Sequence, residues 1–211
     1  MNKTPVIALL GQPNSGKSTI FNMMTGSHQH VGNWPGKTVD QKEGEFRYNG
    51  KQMILADLPG SYSLSAGSDE EIITKDYISS GNADLVLVMA DASQLKRSLY
   101  MLADFVGTKV PAVLILNMMD VARGQGITIN VNKLSEKLGI PVVPICAATA
   151  DGVSELVDEA VRAAEGKILP QVYDFCEPGP VHRCIHAVCH QIEDHAQAAG
   201  ICTRFAATWL I

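Results

Sequence analysis

"PVIALLGQPNSGKSTIFNMMTG", residues 5–26, decides the fold. Residues 5–11 are a short apolar run of strand-forming types that ends in glycine. Residues 18–26 read as a helix closed by Gly26. The hinge between them, "GQPNSGKS" (11–18), fits G-x-x-x-x-G-K-[ST]. In that spacing the glycines let successive backbone N–H groups turn inward around a phosphate, and the helix N-terminus adds its dipole. Lys17 is placed to reach the outer phosphate oxygens, and the Ser18 hydroxyl to ligate Mg²⁺. The phosphate-end candidates are Gly11, Asn14, Ser15, Gly16, Lys17, Ser18 and Thr19.

Open parallel sheets bind ligands beyond the carboxyl ends of their strands, so the ends of the later strands should carry the rest of the site. "GEFRYNGKQMILADLPG" holds two β-prone runs about Asn49-Gly50, the signal of a type I′ hairpin. Its second strand ends in "DLPG" (57–60), where Asp57 can hold Mg²⁺ through a water and the Gly60 N–H can sense a terminal phosphate. "AVLILNMMD" ends in Asn117 and Asp120. A carboxylate there accepts from both N1–H and the N2 amino group of guanine, whereas adenine would leave the charge unpaired. Asn117 can bridge the base edge and the phosphate loop, and Met118 can lay its thioether over the base. The last strand ends in "CAAT" (146–149), a small-residue turn over Cys146, Ala147 and Ala148 that can offer an N–H to guanine O6, with Ala147 as the chosen donor.

Between these motifs the pattern alternates. Helices are expected at 69–81, 95–107, 132–139 and 152–166, and buried strands at 84–92, 110–120 and 140–148. The expected fold is therefore α/β: a three-layer P-loop NTPase, small G-protein-like, whose mostly parallel sheet includes one antiparallel hairpin strand. Pro170, Pro178, Gly179 and Pro180 mark a linker, followed by a helix over 181–200 and the start of another in "TRFAATWLI". The division is a GTP-binding domain over 1–168 and an incomplete helical appendage over 169–211. "HVGNWPGKTVD" (30–40) has neither strand nor helix period and is expected to be a loop, with Thr38 placed to give Mg²⁺ a second hydroxyl.

The bulk numbers agree. The 211 residues suffice for one ordinary core, and a formal net charge of −5 disfavours a nucleic-acid partner. No apolar run reaches the ~18 residues that a membrane span needs. Five cysteines, four of them after residue 175, make no disulfide framework and point to a reducing compartment.

The set "GQPNSGKST", "VGNWPGKTV", "DLPGSYSL" and "NMMD" resembles the cytoplasmic GTPase domain of the FeoB ferrous iron transporters, over residues 4–166. The residues after 168 are similar in character to the helical dissociation-inhibitor domain that follows in that family. The resemblance implies GTP and GDP as ligands, Mg²⁺ and K⁺ as cofactors, and slow K⁺-stimulated hydrolysis that regulates ferrous iron uptake. It also implies a membrane domain of the same full-length protein as partner, a homo-oligomer as one arrangement, and a place at the cytoplasmic face of the bacterial inner membrane. Asn14 would ligate K⁺ with the backbone carbonyls of Gly32 and Trp34, and Trp34 would fix that loop; alternatively Trp34 simply packs on the sheet. A cation there would do the work of an arginine finger, worth ~10³ to 10⁵ in rate. The catalytic candidates are Asn14, Lys17, Thr38 and Gly60. Ser61 stands where many GTPases carry a water-orienting Gln, so a non-catalytic GTP sensor stays open, as does a ribosome- or tRNA-associated GTPase. His182, His186, Cys189 and His190 share one helix face, but one face does not readily close a four-ligand metal sphere.

Overall fold

The computed structural model describes the chain apart from residues 1–3, 27, 35–36, 65–66, 107, 109, 148, 172–178, 200–202, 204–205, 208–209 and 211. In chain order its elements are β1 (Val6–Gly11), α1 (Lys17–Thr25), β2 (Gln29–Asn33), β3 (Asp40–Tyr48), β4 (Lys51–Asp57) and α2 (Asp69–Ser79). Then come β5 (Leu85–Asp91), a 3-10 turn (Ala92–Gln94), α3 (Leu95–Val106), β6 (Ala112–Asn117) and α4 (Met119–Gly124). The remainder is α5 (Val131–Leu138), β7 (Val142–Pro144), α6 (Val153–Gly166) and α7 (Pro180–Ala198).

The sheet has the order β2-β3-β4-β1-β5-β6-β7. Every pair from β4 to β7 is parallel, and β3 is the one strand that runs against the rest. The Asn49-Gly50 hairpin is as expected: both residues have positive φ, 48° and 78°, the twist a type I′ turn needs. Side chains alternate across the sheet into two cores. Ala8, Leu10, Val86 and Val88 face α2 and α3, where they meet Ile73, Met101 and Phe105. Ile7, Leu9, Leu85 and Leu87 face α1 and α6, where they meet Ile20, Phe21, Leu156 and Ala160. Strand β5 is buried along its first six residues, as its unbroken apolar run requires.

Three expectations change. The segment 30–40 is not a loop throughout, because Gln29–Asn33 pairs as an edge strand on β3. Its side chains are mostly exposed, so hydrophobic period carries no signal there. The strand expected over 110–120 ends at Asn117, where Met118 takes a left-handed conformation and opens the short helix α4. The strand expected over 140–148 keeps only Val142–Pro144; Ile145 N–H still donates to the Leu116 carbonyl at 2.8 Å, but the partner strand β6 ends at Asn117. Residues 172–178 of the linker and most of 200–211 lie outside the described residues.

Helix α1 rests on β3 at Gly44, where a Cβ would come within 2.4 Å of Thr25 Cγ2 and 2.6 Å of its Cβ. Thr25 cannot yield: it is β-branched and buried, and its hydroxyl donates to the Phe21 carbonyl at 2.7 Å. Gly44→Ala is expected to cost about 1–3 kcal/mol by overpacking, read as a lower urea midpoint at unchanged slope.

Candidate nucleotide-binding site

The turn from β1 into α1 is built from conformations that few residues tolerate. Asn14 is left-handed at φ 62°, a region Asn visits more readily than most residues, and Gly16 follows at φ 91°. Ser15 N–H closes the turn on the Gln12 carbonyl at 3.2 Å. Gly16 is the N-cap of α1 and supplies no capping side chain, and the first turn carries no acidic residue. Helix α2 is the contrast: Ser68 caps it and Asp69, Glu70 and Glu71 fill its first turn. The N–H groups of α1 are thus left for an anion, where those of α2 are answered by the chain itself.

In front of α1 lies an open cavity of about 970 Å³. Asn14, Gly16, Lys17, Ser18, Thr19, Thr38, Asp57 and Gly60 all line it. These come from three separate stretches of sequence, and both hydroxyls and the carboxylate expected at Mg²⁺ are among them. The donor set is oxygen only, which suits a hard divalent cation. Gly11 and Ser15 do not line the cavity; both are buried behind it. Asp40, Lys42, Asp69 and Glu70 also line it, and the sequence reading missed all four. The "SDEE" run gave only a helix-start signal, and nothing local said that this helix would face the phosphate loop.

Inside the cavity Lys17 Nζ donates to Asp57 Oδ1 and, at 2.7 Å, to the Leu58 carbonyl. The two side chains are 11% and 8% exposed. The cation expected at phosphate and the carboxylate expected at metal therefore neutralise each other.

The guanine-end residues lie on the far side of the loop. Asn117, 3% exposed, donates from Nδ2 to the Ser15 carbonyl at 2.9 Å, and its Oδ1 accepts from the Ala147 N–H at 3.2 Å. One side-chain amide thus joins the phosphate loop, the end of β6 and the turn after β7. The Ala147 N–H expected for O6 is engaged here by Asn117. Asp120 is exposed in the first turn of α4, beyond the left-handed Met118. The Cys146 N–H donates to the Asp151 carbonyl at 3.1 Å, and Ala148 lies outside the described residues.

Gly32 and Trp34, expected as K⁺ ligands, do not line the cavity. The Trp34 carbonyl accepts from the Lys37 N–H at 3.0 Å, and the Trp34 N–H donates to the Val39 carbonyl at 2.9 Å. Antiparallel alternation then makes Gly32 and Gln41 a hydrogen-bonded pair, so the Gly32 carbonyl is engaged as well. This arrangement does not fit a K⁺ shell beyond Asn14. Trp34 is 8% exposed and meets Tyr77 of α2 edge-on, with centroids 5.2 Å apart. Burial, then Glu43 and Asp84, push the Tyr77 hydroxyl up to about 12. Ser61, 2% exposed, is not among the cavity's lining residues and gives its N–H to the Gly11 carbonyl at 3.3 Å.

The family profile described as Ferrous iron transport protein B matches residues 5–160. The chain belongs to the FeoB ferrous iron transport family. The Fe(2+) transporter FeoB of Escherichia coli (strain K12) is 45% identical over 158 residues, 73% of this chain and 20% of that protein. The chain thus spans about a fifth of the length of the curated FeoB relatives it matches. The cytosolic domain of T. maritima FeoB in its GMPPNP form superposes with a TM-score of 0.86 at 35% identity, over 97% of this chain and 79% of that one. The same domain has also been solved in GDP and apo forms. The G domain alone of T. maritima FeoB gives a TM-score of 0.72 at 41% identity, over 77% of this chain and 99% of that one. Among the described residues, no helix is long and apolar enough to cross a membrane, and no three His, Cys, Asp or Glu side chains group as a metal site. The rings of His182, His186 and His190 on α7 follow one another with centroids 5.4–5.5 Å apart.

A Cβ on Gly16 would come within 2.3 Å of Asn117 Nδ2, so this glycine makes the room through which Asn117 reaches the loop. Gly16→Ala is expected to cost about 1–3 kcal/mol from left-handed strain plus that clash. In an Asn117→Ala background only the strain remains, so a double-mutant cycle by urea denaturation should show a coupling of roughly 1 kcal/mol.

Proposed function

We propose that this chain binds GTP and hydrolyses it slowly, with K⁺ stimulation, and that it regulates ferrous iron uptake through a membrane domain of the same protein at the bacterial inner membrane. The observation that carries the reading is the single cavity where the uncapped start of α1, Lys17, Ser18, Thr38, Asp57 and Gly60 converge. The forms in which T. maritima FeoB was solved, GMPPNP and GDP, support a guanine nucleotide as ligand. The cytosolic relatives cover 97% of this chain and the G domain alone 77%. That difference supports a nucleotide domain over 1–168 followed by a helical part that includes α7.

The residues act in a fixed order of charge. The backbone N–H groups about Asn14 to Ser18 bind the inner phosphates. Lys17 leaves Asp57 and the Leu58 carbonyl for the outer phosphate oxygens. Asp57, so released, would hold Mg²⁺ through a water, with Ser18 and Thr38 giving hydroxyls directly. The metal supplies neutralisation of charge on the bridging and terminal phosphate oxygens. Gly60 gives its N–H to the terminal phosphate. Asn117 keeps the base turn and the phosphate loop in one frame, and Asp120 accepts from the guanine edge. Asn14, which lines the cavity, would be the ligand for K⁺; the Gly32 and Trp34 carbonyls are bonded within the β2–β3 edge and its turn.

A second reading, a GTP-sensing switch without useful hydrolysis, is favoured by Ser61, which is buried and is not among the cavity's lining residues. Single-turnover assays with radiolabelled GTP, with and without K⁺, separate the two. A ribosome- or tRNA-associated role has no support in a net charge of −5.

Asp120→Asn is expected to weaken GTP roughly 10²- to 10⁴-fold, since two charge-assisted bonds of about 1.5–3 kcal/mol each are lost. Xanthosine triphosphate, which presents an acceptor at that edge, should gain, and competition calorimetry reads both. Asn14→Ala is expected to erase the difference between KCl and NaCl in turnover while GDP affinity holds within about threefold. Full K⁺ stimulation in that variant would remove the ion from the proposal.

A further inference from the structure

Among its described residues the loop between Gly60 and α2 has no regular structure, yet four of its backbone donors are bonded. Ser61 N–H goes to the phosphate loop at Gly11. Ser63 N–H and Gly67 N–H go to the two carboxylate oxygens of Glu71, at 3.3 and 2.9 Å. Leu64 N–H goes to Asp104 Oδ2 on α3, at 3.0 Å, across forty residues of sequence. The Leu64 side chain is buried in the core with Met101, Leu102 and Phe105, so the chain at Leu64 is held from both ends.

Asp104 is an unusual residue to find there. It is half-buried, and among the described residues it makes no ion pair. Burial pushes its carboxyl above the ordinary range, with Glu71 adding to the rise and the Leu64 N–H opposing it. A carboxylate in that position is costly unless its hydrogen bond does something an apolar side chain could not. The same helix touches the nucleotide machinery twice more. The Arg97 carbonyl accepts from Gln12 Nε2 of the phosphate loop at 3.2 Å, and the Arg97 guanidinium lies 5.0 Å over the Tyr62 ring.

We infer that Asp104 is a positioning residue: by fixing the Leu64 amide from α3 it sets where Gly60, four residues upstream, presents its N–H to the terminal phosphate. The inference rests on the hydrolase reading above. Between Ser61, held by the Gly11 carbonyl, and Leu64, held by Asp104, lie only Tyr62, under the Arg97 guanidinium, and Ser63, whose N–H goes to Glu71. Gly60 itself is wedged on Pro13, whose ring and backbone lie 3.3 Å from where a Cβ would stand. A shift at Leu64 is therefore passed to Gly60 rather than absorbed.

The test compares wild type, Asp104→Asn and Asp104→Leu in the whole chain. It reads kcat and KM for GTP, Kd for GDP, and amide hydrogen exchange at Leu64. Asp104→Leu is expected to speed Leu64 exchange and lower kcat, each about tenfold, with GDP affinity within about twofold. Asp104→Asn keeps an acceptor oxygen and is expected to recover both to within about threefold of wild type. Unchanged kcat in Asp104→Leu, a GDP affinity that falls in step with kcat, or an Asn variant as impaired as Leu overturns the inference. If Asp104→Leu does not fold, Asp104→Ala takes its place under the same outcomes. Wild type that turns over no GTP removes the hydrolase reading; wild-type turnover with unaffected variants removes only the role of Asp104.

Discussion

The site depends on a backbone constraint, two left-handed residues in the five that join β1 to α1. Asn14 and Gly16 turn the chain so sharply that α1 begins with its amides facing open space and no side chain to cap them. Unanswered helix donors are a standing cost, which most helices relieve with Ser, Thr or Asp at the N-cap. Here relief has to come from outside. The missing Cβ of Gly16 has a second effect, since Asn117 occupies that space and ties the turn to the ends of β6 and β7. One absent methyl group thus leaves the start of α1 uncapped and ties it to the ends of β6 and β7 as a single body.

The Lys17–Asp57 pair explains how such a site can wait without ligand. Two nearly buried charges would each be expensive alone, and together they satisfy one another. If Lys17 turned to a phosphate, Asp57 would be left unpaired in a wall that also carries Asp40, Lys42, Asp69 and Glu70. On the proposed reading a cation at Asp57 would then make phosphate and metal bind better together than apart.

Much of this was legible in the sequence, and the reasons differ by element. The strands β1, β5 and β6 declared themselves through unbroken apolar runs, and Asn49-Gly50 through the one turn that tolerates positive φ twice. The phosphate loop was legible because its chemistry is local: glycine, lysine and hydroxyl act within eight residues. Strand β2 was not, since an exposed edge strand is held by main-chain bonds that leave no mark on side-chain pattern. Asp69 and Glu70 were read as helix-start acids because their second role depends on where α2 lies against a loop fifty residues upstream. Asp104 gave no signal at all, because its partner is a backbone amide, and amides look alike in every sequence.

Trp34 shows how far a loop residue's role is set by what holds it. Its ring is buried against Tyr77, and removing such a contact costs several kcal/mol, about 3–5 for a buried Trp. A weaker tie nearby is Lys37 to Asp69, an exposed pair worth about 0–1 kcal/mol. Releasing Lys37 therefore costs less than undocking Trp34, and on the proposed reading Thr38 would approach a metal while Trp34 stays docked. Ligation of a cation by the Gly32 and Trp34 carbonyls is a different demand, since both are spent within the β2–β3 edge and its turn. An edge strand has one partner only, so freeing it breaks one ladder and leaves the other six strands paired. Edge pairing of β2 and the expected cation shell thus call on the same carbonyls, and here the edge strand and its turn hold them.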